Sequence, residues 1–455
     1  MKLILAVAGA GMLLFTSAFA ESLLPASAAV PFPTELRIQC QACNGAFQPA
    51  NCPFGTIFVS ASDPAASFTT IQAAIDSLPD DTSAGTILVG AGMYHEQLNI
   101  TRQGALYVLG QNGAGCRKRA TVYYAIGREA NAASTNPDPN ARVIIHNIQT
   151  AVVLVAPPPY RKNLSQTAPP GRRQRRAPDV LATSPAIAKG HRSGCLDFRM
   201  YDIDIDQQFG PKGVALAIAV VNSKASFYGT GAFGFQDTVF IGHNASAFFL
   251  NSIIKGTVDF VYGSGTAVLF NCTLASRVAK GAGGSVTAWR KTRVTDNDLN
   301  GAQVPFIALE RLRRADDIDP TINVTSRVSL GRPWGNNART VYLHTWMEDH
   351  ILPAGFSSWL PEDPRLGFLF FAEYNSSGPG ANLVSRAAFP PGTPMETPVT
   401  SVTQLEHILT WHDARHITFP NVFHGDTAWV DAEYDSDFGR GLPQVHVGTA
   451  TNTTA

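Results

Sequence analysis

The sequence has no excess of either charge: 35 lysines and arginines stand against 35 aspartates and glutamates. A balanced surface offers little field for nucleic acid or an anionic membrane, so neither partner is expected. Beyond the N-terminal segment there is no run of roughly 18 apolar residues, the minimum for a spanning helix. No G-x-S-x-G elbow occurs, which leaves a serine-hydrolase reading without support. Cysteine is sparse, with six in 455 residues. Cys40-x-x-Cys43 and Cys52 lack a fourth nearby ligand, which favours disulfides over zinc and leaves the pairing open. Helical periodicity is also scarce. Only 67–79 (SFTTIQAAIDSLP) carries it, with Ile71, Ala74, Ile75 and Leu78 on one face, Thr69 or Thr70 as cap and Pro79 as stop.

What the chain does contain points to export and to β structure. Residues 1–20 combine Lys2, an apolar run and Ala18-Phe19-Ala20, the features of a cleaved signal peptide. Seven N-x-S/T sequons, at Asn99, Asn163, Asn244, Asn271, Asn323, Asn375 and Asn452, fit a secreted, extracellular glycoprotein, although Asn271 lies in a strand-like run that suits a glycan poorly. Residues 21–54 read as a Cys-containing extension, 55–440 as the main domain and 441–455 as a flexible tail. Within the domain, short β-branched runs such as GTILVGAG, LYVLG, RVIIHNI and FRMYDIDID alternate with Gly, Asn and Asp, an all-β signature. Asp202, Asp204 and Asp206 alternate with isoleucines, which predicts one acidic strand face. A solvated outer face accounts for it, and a calcium site is the sharper alternative. Residues 156–192 are rich in Pro and Arg and read as an insertion loop, with RRQRR at 172–176 as a processing or polyanion-binding candidate.

The segment GFQDTVFIGHNASAFFLNSIIKGTVDFVYG, residues 234–263, repeats itself at an offset of 22. The offset lays Phe227 on Phe249, Val239 on Val261, Phe240 on Tyr262 and Asp237 on Asp259, and Phe248 on Phe270 in the next copy. A strand-bearing repeat of this length predicts a parallel β-helix whose coils stack. Stacked strands lie about 4.8 Å apart, so Asp237 and Asp259 become neighbours on adjacent coils. Two carboxyl groups that close titrate as a coupled pair, giving an acid beside a base or nucleophile; a purely structural pair is the plainer account.

The segments GFQDTVF, GTVDFVYG and LGRPWG (330–335) resemble, in order and spacing, the signatures of the pectin methylesterase (pectinesterase) family. AGMYHEQLNI (91–100), the 67–79 helix and RTVYLHTWMEDHILPAGFSSW (339–359) extend the resemblance over 55–435, apart from the insertion. The resemblance implies a single-domain, all-β, right-handed parallel β-helix with a short N-terminal helix. It also implies hydrolysis of the methyl esters of polygalacturonan, with no metal or cofactor and methyl-esterified homogalacturonan as the partner of a monomer. By the same resemblance Asp259 is the nucleophile, Asp237 the general acid/base, Arg332 the arginine that orients and acidifies Asp259, and Gln236 an oxyanion donor. Trp334 and Tyr262 are groove aromatics that would bind substrate.

Two positions depart from the family pattern. Val214 stands one offset before Gln236, where the resemblance implies a second oxyanion glutamine, and VTAWRK (286–291) replaces a Gln-Gly-Arg run. A catalytically weak or inactive carbohydrate-binding relative is therefore carried as an alternative, with a calcium-dependent pectate lyase as another.

Overall fold

The computed structural model describes residues 34–42, 47–112, 119–129, 147–158, 193–278, 283–290, 306–308, 311–431 and 434. The expected signal peptide, Cys43, Cys116, RRQRR, Asn163, Asn452 and the tail lie outside these residues.

Almost every strand is short, and a complete coil contributes one strand to each of three parallel sheets, the end coils contributing fewer. One coil runs Lys224–Tyr228, Gly231–Phe233 and Val239–Ile241, and the next runs Ser246–Leu250, Ile253–Gly256 and Val258–Gly263. The result is a right-handed parallel β-helix. Three ladders of 11, 8 and 7 strands follow its axis in the order of the coils, from Ile57–Val59 to Glu406–Ile408 in the first sheet.

The 22-residue register is present where the site lies: Phe227 pairs with Phe249, Val239 with Val261 and Phe240 with Tyr262. It fails one step later, because Phe248 pairs with Val268 and Leu250 with Phe270. The cause is the corner between the third and first sheets. Four residues, 242–245, turn the first of these coils, and only Ser264 and Gly265 turn the next. The corners favour residues that tolerate the left-handed region, and Asn222, Asn244, Asn251 and Asn271 all have φ between 45° and 53°. Their amides form short ladders, Asn244 Nδ2 donating to Asn222 Oδ1 at 2.5 Å and Asn271 Nδ2 to Asn251 Oδ1 at 2.6 Å. Asn271 is therefore an exposed corner residue and not part of a strand.

Side chains inside the coils form one continuous apolar stack that includes Phe198, Phe227 and Phe249, the last two rings lying 4.8 Å apart. A second cluster covers the outer face of the first sheet, where Leu88, Tyr201, Tyr228 and Phe248 meet Phe419, Phe423, Trp429 and Tyr434 from the C-terminal segment. The helix Thr34–Gln41, within the Cys-containing extension, packs here too and is tied down by the disulfide Cys40–Cys52. Cys195 and Cys272 are buried thiols. The expected helix spans Ile71–Ser77. Thr70 holds the N-cap position as expected, but its side chain makes no capping bond: the Glu96 carboxylate instead accepts from the N–H groups of Ile71 and Gln72 at 2.9 and 2.8 Å, placing a negative charge on the helix N-terminus. No helix among the described residues is long and apolar enough to cross a membrane.

The last coils enclose a charged cluster. Arg386 is buried and donates to Glu373 at 2.6 Å, while buried Glu406 lies 3.9 Å from the same Nε. Burial, then the neighbouring Glu373, push the Glu406 carboxyl well above the usual range, with Arg386 opposing. The folded state thus holds a proton that the unfolded chain releases near pH 4.5, so stability falls as pH rises from there toward the raised folded value. Glu406→Gln keeps a neutral group in place and is expected to flatten that decline between about pH 5 and 8. Thermal melts across this range test it, and an unchanged pH slope would show that Glu406 is not the group responsible.

Candidate active site

The candidate site lies on the outer face of the third sheet, the face to which Phe240 and Tyr262 point. A small cluster of Leu154, Leu216, Ala219, Phe240, Tyr262 and Ala288 floors it, with Trp334 and Trp359 partly buried at its side. Both acids open onto this face from unusual backbone. Asp237 has φ 66° and Asp259 φ 51°, a region L-residues other than Asn and Asp rarely adopt. At Asp259 the ladder with Gly284–Trp289 shifts register between Val258 and Val261, a bulge that re-aims the side chain. Asp237 and Asp259 are 7% and 5% exposed, so their charges have little water to stabilise them.

Arg332 reaches Asp259 across an intervening strand. It pairs in register with Ala288, which pairs with Tyr262, and the small Ala288 side chain leaves the path open. The guanidinium forks onto the carboxylate, Nε to Oδ1 at 2.8 Å and Nη2 to Oδ2 at 2.7 Å. The opposite constraint comes from Trp359, whose ring lies 4.2 Å from the guanidinium carbon of Arg332 and 4.3 Å from that of Arg365. Trp359 was not singled out from the sequence, although it ends the matched FSSW segment; a tryptophan there has no signal of its own without the third dimension.

The electrostatics separate the two acids. Burial pushes Asp237 well above the ordinary carboxyl value, and the charge of Asp259 pushes it further. Asp259 is also raised, because burial outweighs the Arg332 bonds that lower it. The sequence reading anticipated a lowered value for Asp259. Desolvation reverses the sign, while the order of titration stays as expected: Asp259 ionises before Asp237.

The remaining residues gather around this pair. Gln236 precedes Asp237 and its side chain reaches that carboxyl. Tyr262 is buried, its ring 5.8 Å from Trp334, and its hydroxyl makes no hydrogen bond of ordinary geometry although it faces Asp237 and Asn147. Val214 forms a bridge with Gln236, so the position one coil below Gln236 is apolar as the offset indicated. Trp289 turns into the coil interior and donates to the Gly265 carbonyl at 2.9 Å, while Arg290 lies over Trp334 at 5.1 Å. Asn147, absent from the sequence-based candidates, places Nδ2 3.5 Å from Asp237 Oδ2.

The acidic row at 202–206 does not form a site. Asp202 sits at a corner with φ 56°, is buried, and accepts from Gln41 at 2.9 Å and Tyr434 at 2.8 Å. Asp204 and Asp206 remain half-buried on the strand, so the expected single face is broken at its first member. No group of three or more His, Cys, Asp or Glu side chains among the described residues is placed to hold a metal ion.

The pectinesterase family model matches residues 187–406, the span holding Asp237, Asp259 and Arg332. Over that span, just under half of the chain, the protein is similar to the pectinesterase family. It is 32% identical over 231 residues to the probable pectinesterase/pectinesterase inhibitor 20 of Arabidopsis thaliana, covering 50% of this chain and 37% of that protein. It thus spans well under half the length of the plant relatives it matches. Probable pectinesterase A of Aspergillus niger is 25% identical over 81% of this chain and 86% of its own length. Among solved structures, the pectin methylesterase from carrot superposes with a TM-score of 0.60 at 22% identity, over 83% of this chain and 96% of that one. That likeness bears on the fold.

The Arg332–Asp259 pair gives a test that does not need a substrate. Removing one partner of a buried pair strands the other's charge, which typically costs about 3–5 kcal/mol. Arg332→Ala is expected to lose stability of that order at pH 7. Adding Asp259→Asn should restore most of it, as read by denaturant unfolding. A single variant as stable as the parent would mean the pair is solvated.

Proposed function

We propose that this chain hydrolyses methyl esters of polygalacturonan, releasing methanol and leaving pectate. One observation carries the reading: adjacent coils hold two buried acids in unequal settings, Asp259 forked by Arg332 and Asp237 beside it with its carboxyl pushed well above the ordinary range by burial and by Asp259. Neither acid alone would suffice. An ionised carboxylate attacks but cannot protonate a leaving methoxide, and a protonated one cannot attack.

In this reading Asp259 attacks the ester carbonyl carbon and the carbonyl electron pair moves to oxygen, where the Gln236 amide donates to the developing charge. Collapse of that intermediate breaks the carbon–methoxy bond as Asp237 delivers its proton, so methanol leaves and an acyl-enzyme remains. Asp237, now ionised, takes a proton from water as the water attacks the acyl carbon. Cleavage frees Asp259 as a carboxylate and leaves the proton on Asp237. Trp334 and Tyr262 would line the sugar path, and Trp359 would hold Arg332 in its fork. The disulfide Cys40–Cys52 supports an oxidising, extracellular setting for the protein.

Methanol release from methyl-esterified polygalacturonan, followed with and without EDTA, tests the reading. The parent protein should release methanol in both conditions, Asp259→Ala should release none while remaining folded, and Asp237→Asn should be slowed by roughly 10²–10⁴. No methanol from the parent would leave a carbohydrate-binding protein. Loss of activity on chelation would point to a metal-dependent reaction instead.

A further inference from the structure

We propose that Asn147 is the positioning residue for Asp237, occupying from two coils away the place that Val214 leaves apolar. This rests on the ester-hydrolase reading above. The strand Val153–Val155 that follows Asn147 pairs with Ile218–Val220, which pairs with Val239–Ile241, so Asn147 starts two coils below Asp237. One coil below Gln236 the chain offers only the Val214 side chain, packed in the same outer cluster as Ile148. The Asn147 amide passes this gap and brings Nδ2 to 3.5 Å from Asp237 Oδ2. That is a long hydrogen bond, as such bonds are before a substrate closes the site.

The turn that bears Asn147 is built to stay put. Residues Asn147–Thr150 form one 3₁₀ turn, closed by Thr150 Oγ1 donating to the Asn147 carbonyl at 2.6 Å. Thr150 Oγ1 in turn accepts from the Leu216 N–H at 3.0 Å. The buried Gln207 amide donates to the carbonyls of Thr150 and Leu216 at 2.8 and 3.0 Å, and Gln97 donates to those of Gln149 and Ala151, both at 3.0 Å. Thr150 and Gln207 therefore clamp the four-residue turn to the segment that carries Val214, and Gln97 holds the turn from its own strand end. Leu216 and Ile148 fill the space beneath it.

The chemical consequence is directional. A donor on Oδ2 makes that oxygen the acceptor, so the transferable proton is kept on Oδ1. When Asp237 gives its proton away, the same amide stabilises the carboxylate that remains. The charged and titratable groups facing Asp237 are Asp259, Arg332 and Tyr262. None of them supplies a neutral amide donor. Gln236 does, from the neighbouring position on the chain, and Asn147 adds a second.

The test is a pH–rate profile for methanol release. Asn147→Ala should lower kcat roughly 10- to 100-fold with KM within about twofold, and shift the alkaline limb upward because ionised Asp237 loses a donor. Asn147→Asp, equal in size, should lose at least as much kcat and shift the limb further, since it sets a carboxylate beside Asp237. Adding Val214→Gln to Asn147→Ala, which returns an amide one coil below Gln236, should recover most of the lost rate. A merely structural Asn147 would instead lower the melting temperature and leave the limb unmoved. Either variant matching an active parent in both kcat and profile overturns the proposal. A parent that releases no methanol overturns the ester-hydrolase reading itself.

Discussion

Everything at this site depends on the fixed rise of one coil upon the next. Parallel strands hydrogen-bonded side by side cannot change their spacing, about 4.8 Å, without breaking the ladder. Two acids assigned to equivalent positions are therefore forced into electrostatic contact, and the fold supplies the energy that keeps the two carboxyl groups together. The interior stack of Phe198, Phe227 and Phe249 and the outer cluster around Tyr201 and Tyr228 stabilise that ladder from both sides. The acids emerge on the outer face of the third sheet, beside its own apolar cluster.

The same constraint explains why burial does not disable the pair. Desolvation raises both carboxyls and the Arg332 charge lowers both, but only Asp259 also receives its forked hydrogen bonds, and Trp359 stacks on the guanidinium. Asymmetry arises from one arginine placed two strands off. The left-handed backbone at Asp237 and Asp259 is the local strain that aims both side chains outward, and the surrounding ladder over-determines it.

Much of this was legible in the sequence because apolar residues repeat with the coil. The offset of 22 joined Val239 to Val261 and Phe240 to Tyr262, and it located Val214 beneath Gln236. It misplaced Phe248 on Phe270 because the next corner is two residues shorter, and corner length leaves no apolar signature. Asp202 was grouped with Asp204 and Asp206 because alternation says nothing about a residue that turns at a corner. Asn147 was invisible for another reason. It is 90 positions from Asp237, the 156–192 insertion lies between them, and it belongs to no repeat. Sign errors also come from the third dimension: no sequence pattern weighs the desolvation of Asp259 against its arginine.

The corners have a broader meaning than their conformations. Between Pro158 and Ser193 lie 34 residues, yet Leu106–Gly110 and Phe198–Tyr201 on either side pair in the same parallel ladder as strands one ordinary coil apart. A corner of this helix thus behaves as an expansion joint. Chain of any length can be hung there while the coils above and below keep their register, so the outline of the molecule is free to diversify without moving Asp237 relative to Asp259.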